Sequence, residues 1–473
     1  MRKASLALII FISVHVQSLH AACKTDACKQ ATAWKNGYTA IVLDDNISRT
    51  DYFAVLDAVK ANKGVVAIEA ERVLLGWMPI TKAAKIRAAR GVSAVLYEAV
   101  PHPDVFVHRD EALAALSFFN RVRTGEFEDT VEKGLAVTGE PLIGCIKDRP
   151  TSARAQVRNV WSTLSDSQPT EENSVVRKAG RNLTIGDDLT VLPQLPSVVF
   201  PQWSGQTPFH NPDMRGRVTV QLFRLDSNGT VDPNTYSWTN ADLGTSRDQV
   251  YSAFTFWVDQ ATARGITLSF RVQTEDPFSR YTRSLIPTPT QYEPITHYTT
   301  DDYLWVNDAL AANGYGASPV NYTNVYNQND AFNDAKAADP FYGPFDRSFS
   351  IYIVYNPFEQ GAPSRFLGQT PAYTMTDGPF EMVMWNSEGW GPANLGLVIT
   401  HETGHIFWAC DEYAAGCGDC DFCHAGVGPR PWANNANCDD PNSSGSCLVP
   451  RTTCVMKDLS HTLCPFTPNQ IGW

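Results

Sequence analysis

His401, Glu402 and His405 stand in the run LGLVITHETGHIFWACDEY, residues 395–413, and their types and spacing suit metal-assisted hydrolysis. On a helix, residues four apart share one face about a turn apart, so the two imidazoles would point the same way. Two ring nitrogens so placed can bind one zinc ion at roughly 2.0–2.1 Å each. Glu402 would be the general base. It takes a proton from a water at the metal as that water attacks a carbonyl, then hands it to the leaving amine. A catalytic zinc needs a third protein ligand and one open position. Asp411, six residues past His405, is the expected third ligand, and Glu412 is the alternative. Leu397, Val398, Ile399, Ile406, Phe407 and Trp408 make this helix apolar on most sides. A His-Glu-His set buried there would be costly without a partner, and zinc is the partner that fits.

A helix starting near Asn394 must carry these residues, and other elements must hold it. RVTVQLFRL (217–225) alternates as a strand does, and ITLSFRV (266–272) places Ile266, Leu268, Phe270 and Val272 on one face. Between them the spacing predicts a helix from Ser246, as cap, to Arg264, ended by Gly265. A further helix is expected around 303–312, a buried strand at SFSIYIVY (348–355) and a shorter one at FEMVMW (380–385). Nearer the N-terminus, YTAIVL (38–43), a helix through Phe53 and Val59, VVAIEAERVLLGWM (65–78), KAAKIRAAR (82–90) and VSAVLYEAV (92–100) alternate as in a small α/β module. Prolines break up residues 150 to about 215, which reads as a linker or strap. The division expected is thus 1–22 export signal, 23–150 α/β domain, 151–214 linker and 215–473 the domain with the site.

The length of 473 residues suits two or three domains, and a net charge of -12 argues against a nucleic-acid partner. Met1-Arg2-Lys3, the apolar run at 4–14 and Ala21-Ala22 read as an export signal; the run is too short to span a bilayer and no later segment could. A secreted or periplasmic monomer is expected, with no membrane span. Of 11 cysteines, eight lie between Cys410 and Cys464, where export favours disulfides. Cys417, Cys420, Cys423 and His424 have spacing that could instead hold a structural zinc, and Cys410 could pin the turn that carries Asp411. Cys145 is the odd one: a buried free cysteine, or a thiolate that blocks the zinc in an uncut precursor, with 23–150 then a propeptide.

With these residues in view, the C-terminal part resembles the metzincin clan of zinc proteases, whose long motif is HExxHxxGxxH or D. His401, Glu402, His405 and Asp411 fall on its ligand, base, ligand and third-ligand positions, and Met456 in TTCVMK falls where its methionine turn is expected. The DEY at 411–413 is similar to the immunoglobulin A peptidase-like branch, and LCPFTPNQIGW to the clan's last helix. The resemblance implies an α+β fold with a twisted mixed sheet, site helix and methionine turn, a Zn2+ cofactor and a polypeptide substrate. Two positions depart from it. Trp408 stands where the clan has its turn glycine, so the turn is expected to be built differently, and Lys457 leaves no tyrosine directly after the methionine, with Tyr413 the nearest substitute. The function expected is a secreted zinc endopeptidase. A metzincin-like binding protein with structural or no zinc, and an amidase acting on non-protein material, are the alternatives. An extended substrate would add at an edge strand, expected at Phe380 to Trp385.

Overall fold

Tyr38–Leu43 (β1) is buried along its whole length, as a strand covered on both faces must be. It pairs antiparallel with Val73–Trp77 (β3) and with Val92–Leu96 (β4), and β3 in turn pairs antiparallel with Val65–Ala70 (β2). Glu71, at φ 44°, makes the tight turn that splits the apolar run at 65–78 into β2 and β3. Arg49–Ala61 (α1), capped by Ser48, sends Tyr52 to the buried Glu69 carboxylate of β2. A short helix, Ala83–Arg87 (α2), precedes β4, and Asp110–Thr124 (α3) packs on β1 and β3, with Phe119 stacked on Tyr38. These elements belong to the first of two compact units, 1–129 and 130–473.

The computed structural model describes residues 37–107, 110–124, 211–274, 287–316, 321–357, 360–367, 371–374, 376–387 and 391–412, and from there 429–430, 432–433, 435, 437, 452–458 and 460–473. The export signal, most of the linker, Cys145, Tyr413, Cys417, Cys420, Cys423 and His424 lie outside these residues. Among the described residues no helix is long and apolar enough to cross a membrane.

The second unit is α+β with a mixed sheet. Gly216–Ser227 (β5) lies between Leu268–Thr274 (β6) and Arg347–Val354 (β8), both parallel to it. The far end of β5 also pairs with Thr288–Thr290 (β7). Phe380–Met384 (β10) runs parallel to β8, and Ala372–Thr374 (β9) closes this side antiparallel to β10. The short strand at 380–384 is therefore interior and β9 is the edge, which corrects the expectation from sequence. Both faces of β10 are buried, and FEMVM reads as apolar for that reason.

Side chains alternate across this sheet with period two. Phe223, Leu225, Tyr352, Val354, Phe380, Met382 and Met384 meet Asp302–Ala312 (α5) and Tyr322–Ala337 (α6) through Trp305, Val306, Val325 and Phe332. On the opposite face, Phe270 and Phe349 meet Phe254 of Asn240–Ala263 (α4). That helix starts earlier than the spacing predicts. Thr239 caps it, accepting from the Asp242 amide, while Ser246 bonds back to Leu243 inside the helix. The Thr-x-x-Asp pair is the cap signal that the apolar pattern obscured.

Leu395–Ile406 (α7), which bears the histidines, packs on α4, β9 and β10. Asn394 gives its N-terminus no side-chain cap; instead Gln249 of α4 accepts from the Gly396 amide at 2.9 Å, satisfying one of the free donors of the first turn. A Cβ at Gly396 would come within 2.8 Å of the Gln249 side-chain oxygen and 3.0 Å of its backbone oxygen. Trp257 of α4 donates to the Thr400 carbonyl one turn on. Gly396→Val is expected to wedge the two helices apart and lower stability by about 1–3 kcal/mol, seen as a lower urea midpoint at unchanged slope.

Candidate metal centre

His401 and His405 lie one turn apart on α7, both buried, with ring planes at 86°. Their Nε2 atoms are 3.2 Å apart. Asp411 Oδ1 lies 2.9 Å from the first and 3.3 Å from the second. These three donors form one group of suitable ligand atoms. Bonds of ~2.0–2.1 Å in a tetrahedron set ligand atoms roughly 3.3–3.4 Å apart, so the triangle has the size of one face of a zinc site.

The outer ring atoms decide which lone pairs face inward. His401 Nδ1 lies 3.0 Å from the Val455 carbonyl and His405 Nδ1 lies 2.7 Å from the Ala409 carbonyl. A carbonyl only accepts, so each Nδ1 carries its hydrogen, which leaves both Nε2 atoms bare when the rings are neutral. Two lone pairs and a carboxylate oxygen then converge. Asp411 Oδ1 is buried and meets neither ring in hydrogen-bond geometry. A cation at their centre is what this donor set fits, and two imidazoles with one carboxylate suit zinc.

The turn from α7 to Asp411 is made by Trp408 at φ 77°. The expectation that a residue other than glycine would force a different turn is thus corrected, since the left-handed geometry is kept and tryptophan adopts it. Ala409 and Phe407 amides both bond to the Gly404 carbonyl, closing the helix end, and the Trp408 amide bonds to that of His405. Trp408 packs on Cys410 and Ala433, burial that offsets a backbone cost of about 1–2 kcal/mol. Cys410 is disulfide-bonded. Its amide donates to Gln470 at 2.9 Å, and Asn435 donates to the Asp411 carbonyl at 2.6 Å. The ligand is therefore held on both sides by residues distant in sequence.

Met456 sits in a single helical turn, Val455–Asp458 (α8). Its side chain is buried beneath α7, where a Cβ on Gly404 would meet its sulfur at 2.6 Å. The same turn orients the site through its backbone. The Val455 carbonyl takes the His401 ring, and the Met456 carbonyl accepts from the Glu412 amide at 2.9 Å. After it, the segment similar to a last helix forms one turn only, Thr467–Gln470 (α9).

Glu412, the alternative ligand, is not part of the histidine group. Its carboxylate takes bonds from Asn437, Cys464 and Thr467, and burial together with Cys464 raises it to about 8. Glu402 lies on the same helix as the histidines, and its Oε2 is buried, with Thr374 beside the carboxyl and no close hydrogen bond to it among the described residues. Thr374 Oγ1 of the edge strand β9 is in the same condition. Burial raises the Glu402 carboxyl; the two imidazoles pull it back, and Asp411 adds to the rise. Glu381 on β10, which sequence reading missed, accepts from Thr403, and burial and then the charge of Glu402 push its carboxyl well above the usual carboxylate range. The signal for it was one acid in an otherwise apolar strand.

Metal and protons compete here. Burial disfavours charge on His405, but the Asp411 carboxylate outweighs that and raises the ring to about 9; His401 is raised by the same balance. Burial alone would raise Asp411, and the two rings instead hold it well below the usual carboxylate range. A ring whose folded pKa exceeds its unfolded 6.5 adds stability that is complete below 6.5 and lost as pH rises through about 9. Chelated protein should therefore lose about 3 kcal/mol across that window. Zinc-loaded protein, with both rings neutral at all these pH values, should not. Urea melts across pH with and without chelator measure it, and identical profiles would rule out metal at these residues.

Comparison with models of known protein families, with curated proteins and with solved structures finds no match to this chain.

Proposed function

We propose that this protein is a zinc-dependent endopeptidase of metzincin type, acting outside the cell or in the periplasm on extended polypeptides. The observation that carries the reading is the triangle of His401 Nε2, His405 Nε2 and Asp411 Oδ1, with both outer ring nitrogens tied to carbonyls and Glu402 on the same helix. Support for the metzincin likeness comes from Met456 beneath Gly404 and from a left-handed residue three positions after His405. A zinc ion held by the triangle would supply Lewis-acid polarisation of a carbonyl and a nucleophile active near neutral pH.

The chain's own residues supply the rest. Glu402 is buried, and its Oε2 can accept a proton from water and return it to a leaving amine. A base works best with a pKa nearer the operating pH, and burial moves Glu402 in that direction. Glu381 is buried nearby, and burial together with the charge of Glu402 disfavours a second negative charge there. Substrate is placed by β9. As the edge of the sheet it leaves backbone groups of Ala372–Thr374 for an added strand, and Thr374 stands beside Glu402. That arrangement favours an extended peptide over compact non-protein material.

Glu402→Gln keeps the size and hydrogen-bonding shape of the side chain and removes the base. It is expected to retain one zinc at the His401–His405–Asp411 site and to lose about 10²–10⁴-fold in peptide turnover. Digestion of a peptide library by the processed protein reads this, with a chelator as control. Cleavage that survives both the substitution and the chelator would sink the mechanism. Cleavage of cell-wall amides but not of peptides would favour the amidase.

A further inference from the structure

We infer that Cys454, Cys464 and Glu412 form a second, structural metal site, which takes a zinc-class divalent ion through two thiolates and one carboxylate. The inference stands apart from the hydrolytic reading, because none of these residues belongs to the histidine group. The three donor atoms all lie within 4.8 Å of one another. All three residues are buried, Glu412 and Cys454 completely. Both cysteines are free thiols, unlike Cys410, which directly precedes Asp411.

The surroundings are those of a closed site. Cys464 Sγ lies 2.9 Å from Glu412 Oε1. Thr467 Oγ1 is 3.3 Å from Cys454 Sγ, 3.2 Å from Cys464 Sγ and 3.0 Å from Glu412 Oε1, so its hydroxyl forms a fourth corner. Asn437 holds the other carboxylate oxygen at 2.6 Å. The amides of Phe466 and Thr467 point at Cys464 Sγ and the Cys464 amide at Cys454 Sγ, donors that suit sulfur carrying negative charge. Among the described residues no lysine or arginine forms an ion pair with Glu412. Arg264 acts by its charge on Cys464, and the three buried donor atoms converge without an ion pair to the carboxylate, an arrangement that a cation at their centre would stabilise. A divalent ion supplies such a charge, and mixed sulfur and oxygen donors select zinc over magnesium or calcium. The Thr467 hydroxyl covers the remaining side of the group.

The position suggests what such an ion does. Glu412 follows the ligand Asp411, Cys454 precedes the turn carrying Met456, and Cys464 precedes the final turn α9. One ion would tie together three segments that meet under the histidine group, two of which already exchange the Glu412–Met456 backbone bond.

The test uses full-length protein purified from an exporting host without added metal. Total metal is counted by mass spectrometry, and Co2+ is exchanged in. A thiolate–cobalt charge-transfer band reports sulfur ligation, which the histidine group cannot give. His401→Ala/His405→Ala is expected to lose one equivalent and keep the band. Cys454→Ser/Cys464→Ser is expected to lose one equivalent and the band, while keeping the equivalent bound by the histidines, which also shows that it folds. Glu412→Gln, which conserves shape, should weaken retention of the second ion at least tenfold in a chelator competition. A Cys454–Cys464 disulfide in unreduced peptide maps of the native protein would overturn the site, whatever the variants do. So would unchanged metal content and an unchanged band in the double serine variant.

Discussion

Two bare imidazole nitrogens and a carboxylate oxygen lie about 3 Å apart in a buried place, an arrangement that only a cation or a proton at their centre makes favourable. Much of the surrounding structure keeps them there. Each ring is turned inward by a carbonyl on its far side, that of Ala409 just past its own helix and that of Val455 at the start of α8. Asp411 reaches them because Trp408 reverses the chain in a left-handed conformation, and because Asn435 and Gln470 fix the residues around that reversal. The helix itself is seated against α4 by a glycine contact and a glutamine cap. Loosening any of these would shift a ligand atom by a distance comparable to the tolerance of a metal bond.

Segments distant in sequence meet beneath the histidines. The α7–Asp411 turn, residues 452–458 and the C-terminal residues 460–473 contact one another there. Asn435, Asn437 and Arg430 bond to backbone groups here, while Glu412, Cys454, Cys464 and Thr467 bond to one another. The C-terminal strip also returns to the start of β5: the Met214 amide bonds to Ile471, and Arg430 bridges Gln470 to Asp213. Sheet, site helix and C-terminus are thereby joined in one hydrogen-bonded assembly.

Local periodicity carried far in this chain. HETGH on an apolar helix, the alternating strands at 217–225 and 266–272, and the placement of Asp411 within reach of the histidines were legible, because helix and strand geometry convert spacing directly into facing. Two local readings misled. Ser246 resembled a cap because the apolar stripe strengthens there, while the true cap was Thr239 with Asp242. Phe380–Trp385 resembled an edge because it is short; whether a strand is an edge depends on neighbours that its own residues do not specify, and β9 proved to be the neighbour.

The sequence by itself determined the helix with its two histidines four residues apart, the acid that follows and the α+β character of the chain, since each depends on backbone geometry acting over a few residues. Tertiary structure alone decided that Asp411 and not Glu412 joins the histidines, that Trp408 accepts a glycine's backbone angles, that Glu381 lies behind Glu402, and that Val455 and Met456 serve the site through their carbonyls. Those outcomes rest on contacts across tens of residues, where two adjacent acids differ only in the direction their side chains are carried and a strained backbone is held by burial elsewhere.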